Sequence, residues 1–393
     1  MNLKKWTLWF RYEVAVIILL WWGMAIFNIV KGKVPTGSLC IVASIPVTIV
    51  LICDLLKKRS TKWATAARWL AILIVPAILS LTWYILFGNI LHQVSFKLFI
   101  TILFGLILLV MDLPVAVVAL GQVKNWLGRL IAACFFDMVL LSSTAIELKP
   151  KGINVLIVSG FLAAVAAFLA ATLIAKYWGF SFNPNLKWRK SRNWSNITLI
   201  LLLLFCICFA FWAQFCGQGD NVGEILFKPD FEALKPTWMS FFSALEAGIF
   251  EETNRYLTIL ALIAGFANSK YRVQISVIVS AIVFGLLHLN NLGGQKFAAT
   301  LNQVIYAAAL GLVLAILYLY TGKLWLAMLY HFGIDYLDYA LAGGIKPQVW
   351  SGDLSDWISS IVLVLVPVAI AIWMMTDKRK MVMDENIERL LDK

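Results

Sequence analysis

An apolar stretch in the middle of the chain carries a group of charged residues. Residues 248–256 read GIFEETNRY, with Glu251 and Glu252 adjacent and Arg255 four and three positions later. Residues three or four apart lie on one face of a helix, so Arg255 can neutralise one glutamate while the other points elsewhere. A buried ion pair that only fixes helix packing would explain this stretch alone. Charges at bilayer depth cost roughly 2.5–3.5 kcal/mol each, so the cluster is a candidate functional site.

Two later apolar segments carry histidines. The segment FGLLH gives Phe284 and His288, and HFGID gives His331 and Asp335 one helical turn apart. The chain has three histidines, and two of them lie in these apolar segments. Helix packing alone does not account for two histidines, two glutamates, an arginine and an aspartate on three segments close in sequence.

Together these side chains indicate hydrolysis of an acyl bond, with a peptide bond expected. A carboxylate in a low-dielectric site is a stronger base than in water, and with an imidazole it can deprotonate a water molecule. A second histidine can donate hydrogen bonds to the developing oxyanion. The set Glu251, His288 and His331 could instead bind Zn²⁺ as three protein ligands with an open water position. The metalloprotease signature HExxH is absent.

The composition predicts the elements that position these residues. Apolar residues make up 62% of the 393 positions and charged residues 14%. Apolar runs long enough to cross a bilayer recur along the chain, and the first is retained rather than cleaved. We therefore expect an all-α polytopic transmembrane bundle of about twelve spans. The predicted spans are 13–30, 38–56, 66–90, 96–120, 127–145, 153–177, 197–214, 238–266, 273–288, 298–320, 322–342 and 357–375.

The charge distribution predicts an orientation. Most Lys and Arg residues fall in alternate loops, which places both termini in the cytoplasm and explains the formal charge of +12 without nucleic acid. We expect an integral protein of the bacterial cell membrane. The predicted span count puts His288 at the outer end of its helix and leaves open the side to which the site opens.

Two regions are predicted. Residues 1–196 form an N-terminal transmembrane region of about six spans with a basic cytoplasmic linker, and its role is open. Residues 197–393 hold the polar cluster and a C-terminal span. Acids in the first region are scattered, at Asp54, Asp112 and Asp137. Each could belong to a transport pathway, but isolated acids of this kind more often pair with a neighbouring helix.

The motifs EETNR, FGLLH and HFGID resemble those of the CAAX protease and bacteriocin-processing (CPBP) family, over roughly 200–345. The family has a Glu-Glu pair followed by Arg, then Phe-x-x-x-His, then His-x-x-x-Asn/Asp, on successive helices. The resemblance implies an intramembrane endopeptidase that is either a metalloprotease or glutamate-dependent, so zinc is an open question. The implied substrate is a hydrophobic peptide or membrane protein within the lipid bilayer. Bacterial relatives process peptides or confer immunity to bacteriocins.

The resemblance also implies a role for each residue. Glu251 would be the general base, His288 would position the water, and His331 with Asp335 would stabilise the oxyanion. The family usually has three residues between the Glu pair and Arg, whereas EETNR has two. The base is therefore either Glu251 or Glu252, and Glu251 is favoured because the arginine can also reach its neighbour.

Arg255, with Glu252, and Phe284 are expected to support the structure of the site rather than to take part in the reaction.

Two other functions remain open. A non-catalytic immunity factor or scaffold would keep the polar cluster for packing. A proton-coupled transporter would use the same acids and histidines, and inverted repeats, which would favour it, are not evident in the sequence.

Overall fold

The computed structural model describes residues 2–56, 60–93, 97–141, 151–180, 184–186, 191–231, 234–346 and 349–391. Across these residues the regular structure is helical, apart from one isolated β-bridge between Asn185 and Lys323. The all-α prediction is confirmed. The chain divides into two compact units, Met1–Phe182 and Asn183–Lys393. The functional boundary expected near residue 196 stays a prediction.

The first unit begins with long apolar helices, and shorter helices separated by breaks follow them. Its helices are α1 (Leu3–Val30), α2 (Val34–Leu56), α3 (Thr61–Gln93), α4 (Lys97–Val110), α5 (Leu113–Val118), α6 (Trp126–Leu141), α7 (Asn154–Val158) and α8 (Phe161–Tyr177). A 3₁₀ turn, Leu120–Gln122, follows α5.

Two predicted spans of this unit are interrupted. The segment 96–120 breaks after Val110, where Pro114 has no N–H to continue the helical hydrogen bonds. The segment 153–177 breaks at Gly160, whose φ of +80° lies in the left-handed region that favours glycine. Hydropathy registers apolar length and does not detect such breaks.

The scattered acids of the first unit have different environments. Asp54 pairs with Arg11 across α1 and α2, with Arg11 Nε 2.7 Å from the Asp54 Oδ2 atom. Asp112 is buried, and neither carboxylate oxygen has a hydrogen-bond partner in the described residues. The Asp137 side chain lies outside the described part of the chain. Pairing with a neighbouring helix therefore holds for Asp54.

The second unit contains the segments with the polar cluster. Its helices are α9 (Asn196–Phe215), α10 (Val222–Phe227), α11 (Trp238–Gly265), α12 (Arg272–Leu287), α13 (Phe297–Thr321), α14 (Leu324–Ala342), α15 (Leu354–Met374) and α16 (Asp377–Leu391). A 3₁₀ turn, His288–Gly293, follows α12.

Helices α11 to α14 surround a common centre. Helices α11 and α13 each pack against both α12 and α14. Glycines permit two close approaches. A Cβ on Gly248 of α11 would lie 2.7 Å from the Met328 carbonyl oxygen of α14, and one on Gly285 of α12 would lie 2.5 Å from the Val304 carbonyl oxygen of α13. Both contacts are with backbone, so these approaches require glycine.

The chain is polytopic. Eight helical segments of the described residues are long and apolar enough to span a bilayer. Helices α11 and α14 are not among the eight; both are less apolar because they carry the polar cluster. The expected number of about twelve spans stays a prediction. The eight segments are α1, α2, most of α3, α4 through the first 3₁₀ turn, α9, α12 with the second 3₁₀ turn, α13 and α15.

Candidate active site

Two uninterrupted helices carry most of the candidate site. Helix α11 runs for 28 residues, and the Thr237 hydroxyl caps its start by accepting a hydrogen bond from the Ser240 N–H at 2.9 Å. Helix α14 follows a turn at Gly322 and ends at Gly343. The φ angles of these glycines, +65° and +71°, are left-handed values typical of helix C-termini.

The arginine pairs with the second glutamate of EETNR. Arg255 Nε lies 3.0 Å from Glu252 Oε2, and Arg255 Nη2 lies 3.0 Å from Glu252 Oε1. The Arg255 side chain is 1% exposed and that of Glu252 is 0% exposed. Arg255 Nη1 also donates to the Gly311 carbonyl at 3.3 Å, and the guanidinium lies 3.8 Å from the centroid of the Phe284 ring. This arrangement neutralises Glu252 and leaves the Glu251 carboxylate unpaired with the arginine.

His331 joins the ion pair to two further carboxylates. Its Nδ1 lies 2.9 Å from Glu252 Oε1, and because a carboxylate only accepts, Nδ1 is the donor. On the other side of the ring, Nε2 lies 3.6 Å from both Glu251 Oε2 and Asp335 Oδ2. The ring is buried. Carboxylates therefore face both nitrogens of the imidazole.

Glu251 differs from its neighbour in being reachable and unsatisfied. Its side chain is 31% exposed, whereas that of Glu252 is fully buried. The Oε2 atom of Glu251 is itself buried and has no hydrogen-bond partner in the described residues. A buried acceptor without a partner is costly unless a water or ligand fills the position. The Asp335 side chain is 22% exposed, so the site opens beside these two acids.

His288 lies beside the cluster but does not join its hydrogen bonds. Its Nδ1 lies 3.0 Å from the Phe284 carbonyl oxygen and must donate, which leaves Nε2 of the neutral ring as an acceptor. The Phe284 ring meets both histidines edge-on, with centroid distances of 5.0 Å to His288 and 5.7 Å to His331. Among the described residues, no hydrogen bond links His288 to Glu251 or His331. Phe284 therefore separates the two imidazoles.

Further polar residues approach the cluster. Glu246 lies within electrostatic range of Glu251, Asp335 and His331, and Tyr339 lies within range of the same two acids. Neither Glu246 nor Tyr339 is among the site residues predicted from the sequence. Glu246 and Glu251 are five residues apart, so they do not share a helical face. Asp335 and Tyr339 are four residues apart, and this spacing could have identified Tyr339 as a residue on the same helical face as Asp335.

A zinc site requires several ligand atoms that surround one common point. Protein ligands bind Zn²⁺ at about 2.0–2.2 Å through nitrogen or oxygen. Within the described ranges, no group of three His, Cys, Asp or Glu side chains is placed to hold a metal ion. Glu251 and His331 approach each other, but His288 is turned to the Phe284 carbonyl. As placed, these side chains do not form a metal centre, and zinc binding stays a prediction.

Helices α11 to α14 thus form a helical membrane domain with a buried Glu–Arg–His centre. Residues 233–337 match the family model of the Rce1-like type II CAAX prenyl endopeptidases. The predicted resemblance is confirmed for this segment, which contains all seven predicted site residues, and the chain carries an Rce1-like domain there. The match supports an intramembrane endopeptidase at the level of the family. No curated protein and no solved structure matched the chain.

Proposed function

We propose that this protein is an intramembrane endopeptidase in which Glu251 activates a water molecule for attack on a peptide bond. The observation that carries the proposal is the contrast between two adjacent glutamates. Glu252 is committed to Arg255 and His331, whereas Glu251 is part-exposed with one oxygen unsatisfied. A general base needs a free lone pair at the substrate side, and only Glu251 of the two has one.

The positions of the donors support a role for His331 in stabilising the oxyanion. Its Nδ1–H is held by Glu252, which fixes the orientation of the ring. A proton on Nε2 then points toward the space between Glu251 and Asp335, each 3.6 Å away. These separations exceed a normal hydrogen bond, so an Nε2 proton is not committed to either carboxylate and can be donated to an oxygen of the water or substrate beside them. Asp335 keeps that proton on Nε2 and orients the donor.

The proton balance closes within the protein. Glu251 takes a proton from water as its oxygen bonds to the carbonyl carbon, and the carbonyl oxygen becomes an oxyanion that accepts from His331. When the C–N bond breaks, protonated Glu251 gives the proton to the leaving amine. The role that the resemblance implies for His288, positioning the water, would fall to Nε2, since Nδ1 is taken by the Phe284 carbonyl. Such acid–base transfer contributes typically 10²–10⁴-fold in rate.

The substrate is a hydrophobic peptide or a membrane-associated protein. A site formed within apolar helices is reached most directly by a segment that is itself in the bilayer. The matching family model is that of the Rce1-like type II CAAX prenyl endopeptidases. The proposal covers unmodified as well as lipidated peptides.

The test is cleavage by the purified full chain in detergent or liposomes. The substrates are a library of hydrophobic peptides, offered with and without a C-terminal farnesyl group, and products are identified by mass spectrometry. We expect the parent to cleave, Glu251→Gln to be folded and inactive, and Asp220→Asn to cleave like the parent. Asp220 is an exposed acid of the same unit outside the site, so it controls for the loss of a carboxylate.

Two outcomes would count against the proposal. If Glu251→Gln cleaves at the parental rate, the base is another group. If no substrate is cleaved and the variants keep the parent's cellular phenotype, the polar cluster is structural and the protein acts as an immunity factor or scaffold. Repeating the assay with a chelator, followed by added Zn²⁺, tests the metal hypothesis separately.

A further inference from the structure

A small cavity lies in the first unit, between the beginnings of α1 and α3 and the 3₁₀ turn after α5. Its volume is about 200 Å³. Its walls are largely apolar, with Phe10 from α1 and Val118 from α5, and small residues of α3, Ala67 and Ala71, leave the space open. Pockets for drug-sized ligands are typically 300–1,000 Å³, so this cavity suits a smaller group.

An arginine without a partner lines the cavity. Arg68 of α3 makes no hydrogen bond or ion pair with any described residue, although it is half-buried and borders the space. Asp54 also borders the cavity, but its carboxylate already pairs with Arg11 at 2.7 Å. The cavity therefore has an uncompensated positive charge. A guanidinium in such a place is stabilised by an anion, and its planar donors match phosphate oxygens.

A second donor lies at the same cavity. Gln122 Nε2 donates one hydrogen to the Val117 carbonyl at 3.2 Å and retains its other amide hydrogen. The Thr7 hydroxyl donates to the Leu3 carbonyl at 2.9 Å, so it can only accept toward the cavity. An arginine and an amide, against apolar walls, form a site for an anion attached to an apolar group.

The position in the unit indicates the source of that anion. The cavity lies at the helix ends that also carry the exposed residues Lys4, Lys62 and Lys124. The positive-inside pattern predicts that this end faces the cytoplasm. Anionic phospholipids are concentrated in that leaflet and attract basic segments near its surface.

We propose that the cavity binds the phosphate of an anionic phospholipid headgroup, with Arg68 as its main ligand. The acyl chains would remain in the bilayer beside the apolar walls. This inference does not depend on the proposed protease activity, since the site belongs to the first unit.

The test measures stabilisation of the purified full chain by lipid. Thermal unfolding in detergent is followed while dioleoyl phosphatidylglycerol, dioleoyl phosphatidylcholine or sodium phosphate is added, and native mass spectrometry counts the retained lipid. We expect phosphatidylglycerol to raise Tm more than phosphatidylcholine does. Arg68→Gln should weaken the phosphatidylglycerol affinity about tenfold or more, as the loss of a charge-assisted hydrogen bond implies.

Matched variants separate this site from general attraction to basic surfaces. Lys62→Gln removes an exposed charge at the same end and should keep the parental response. If Arg68→Gln folds poorly, Ala67→Leu fills the cavity without removing the charge and should also abolish the specific response. The proposal is overturned if phosphatidylcholine stabilises equally, if Arg68→Gln responds like the parent, or if sodium phosphate alone reproduces the full effect.

Discussion

The same substitution at the two adjacent glutamates should give different phenotypes. Glu252→Gln leaves the Arg255 guanidinium, which is 1% exposed, without its counterion and weakens the bond to His331 Nδ1. Removing one partner of a buried ion pair costs about 3–5 kcal/mol. Total stabilities are about 5–15 kcal/mol, so this variant loses a large share of its stability. Glu251→Gln removes no hydrogen bond from a part-exposed side chain, so its stability should change by less than about 1 kcal/mol.

Unfolding and cleavage are measured on the same preparations. The free energy of unfolding is followed by denaturant titration in mixed micelles, and peptide cleavage is assayed below the lowest Tm. We expect Glu251→Gln to unfold like the parent while its rate falls about 10²–10⁴-fold, the usual contribution of a general base. Glu252→Gln should lose both stability and activity.

A double variant provides the control for the ion pair. Replacing both members of a buried pair with uncharged groups removes the unpaired charge that makes a single replacement costly. Glu252→Gln combined with Arg255→Met should therefore be more stable than Glu252→Gln alone. The reasoning is refuted if the two glutamate variants exchange phenotypes, with Glu251→Gln unstable and Glu252→Gln stable, or if the double variant shows simple additivity.

Three further predictions concern the elements around the site. Gly248→Ala places a methyl group against the Met328 carbonyl and should lower the free energy of unfolding by about 1–3 kcal/mol. Gly333→Ala, whose added Cβ would meet open space, is the control and should not destabilise the protein. Equal unfolding curves for the two variants would contradict this prediction. Asn386→Ala removes two hydrogen bonds, of 2.9 and 3.0 Å, to carbonyls at the end of α13 and should lower the unfolding free energy by about 1–3 kcal/mol. The Asp356 N–H, with the Ser351 hydroxyl, lowers the pKa of Asp353 to about 2. The Asp353 carboxylate therefore stabilises the folded state fully above its unfolded pKa of about 3.9, and this stabilisation is lost as the pH falls toward 2. In that pH window, the free energy of unfolding of Asp353→Asn should change less with pH than that of the parent.

The sequence predicts the composition of the site better than its internal pairing. Helical spacing brings Arg255 within reach of both glutamates and cannot choose between them. The choice follows from residues on other helices: the Gly311 carbonyl and the Phe284 ring hold the guanidinium, and His331 completes the hydrogen bonds of Glu252. These contacts depend on how α11, α12, α13 and α14 pack, and no local pattern in the sequence encodes that packing.

Hydropathy has a corresponding limit for the fold. It identifies apolar segments and therefore finds the long helices, but it does not identify α16, whose residues are mostly polar. That helix is held by specific contacts: Arg272 at the start of α12 pairs with Asp384 at 2.6 Å and Glu388 at 2.8 Å. The side chain of Asn386 is buried against α13. The helix also buries Val382, Met383, Ile387 and Leu390, but charged and polar residues separate them, so they form no long apolar run for hydropathy to detect.

The two histidines of the site have different chemistry because their Nδ1 atoms face different acceptors. His288 donates through Nδ1 to a neutral backbone carbonyl. His331 donates through Nδ1 to a carboxylate and faces two more carboxylates on its Nε2 side. Glu251 and Asp335 both approach His331 Nε2, and Glu251 has the more exposed side chain of the two. A base must be reached by the water that it activates, so the exposure of these two acids favours Glu251.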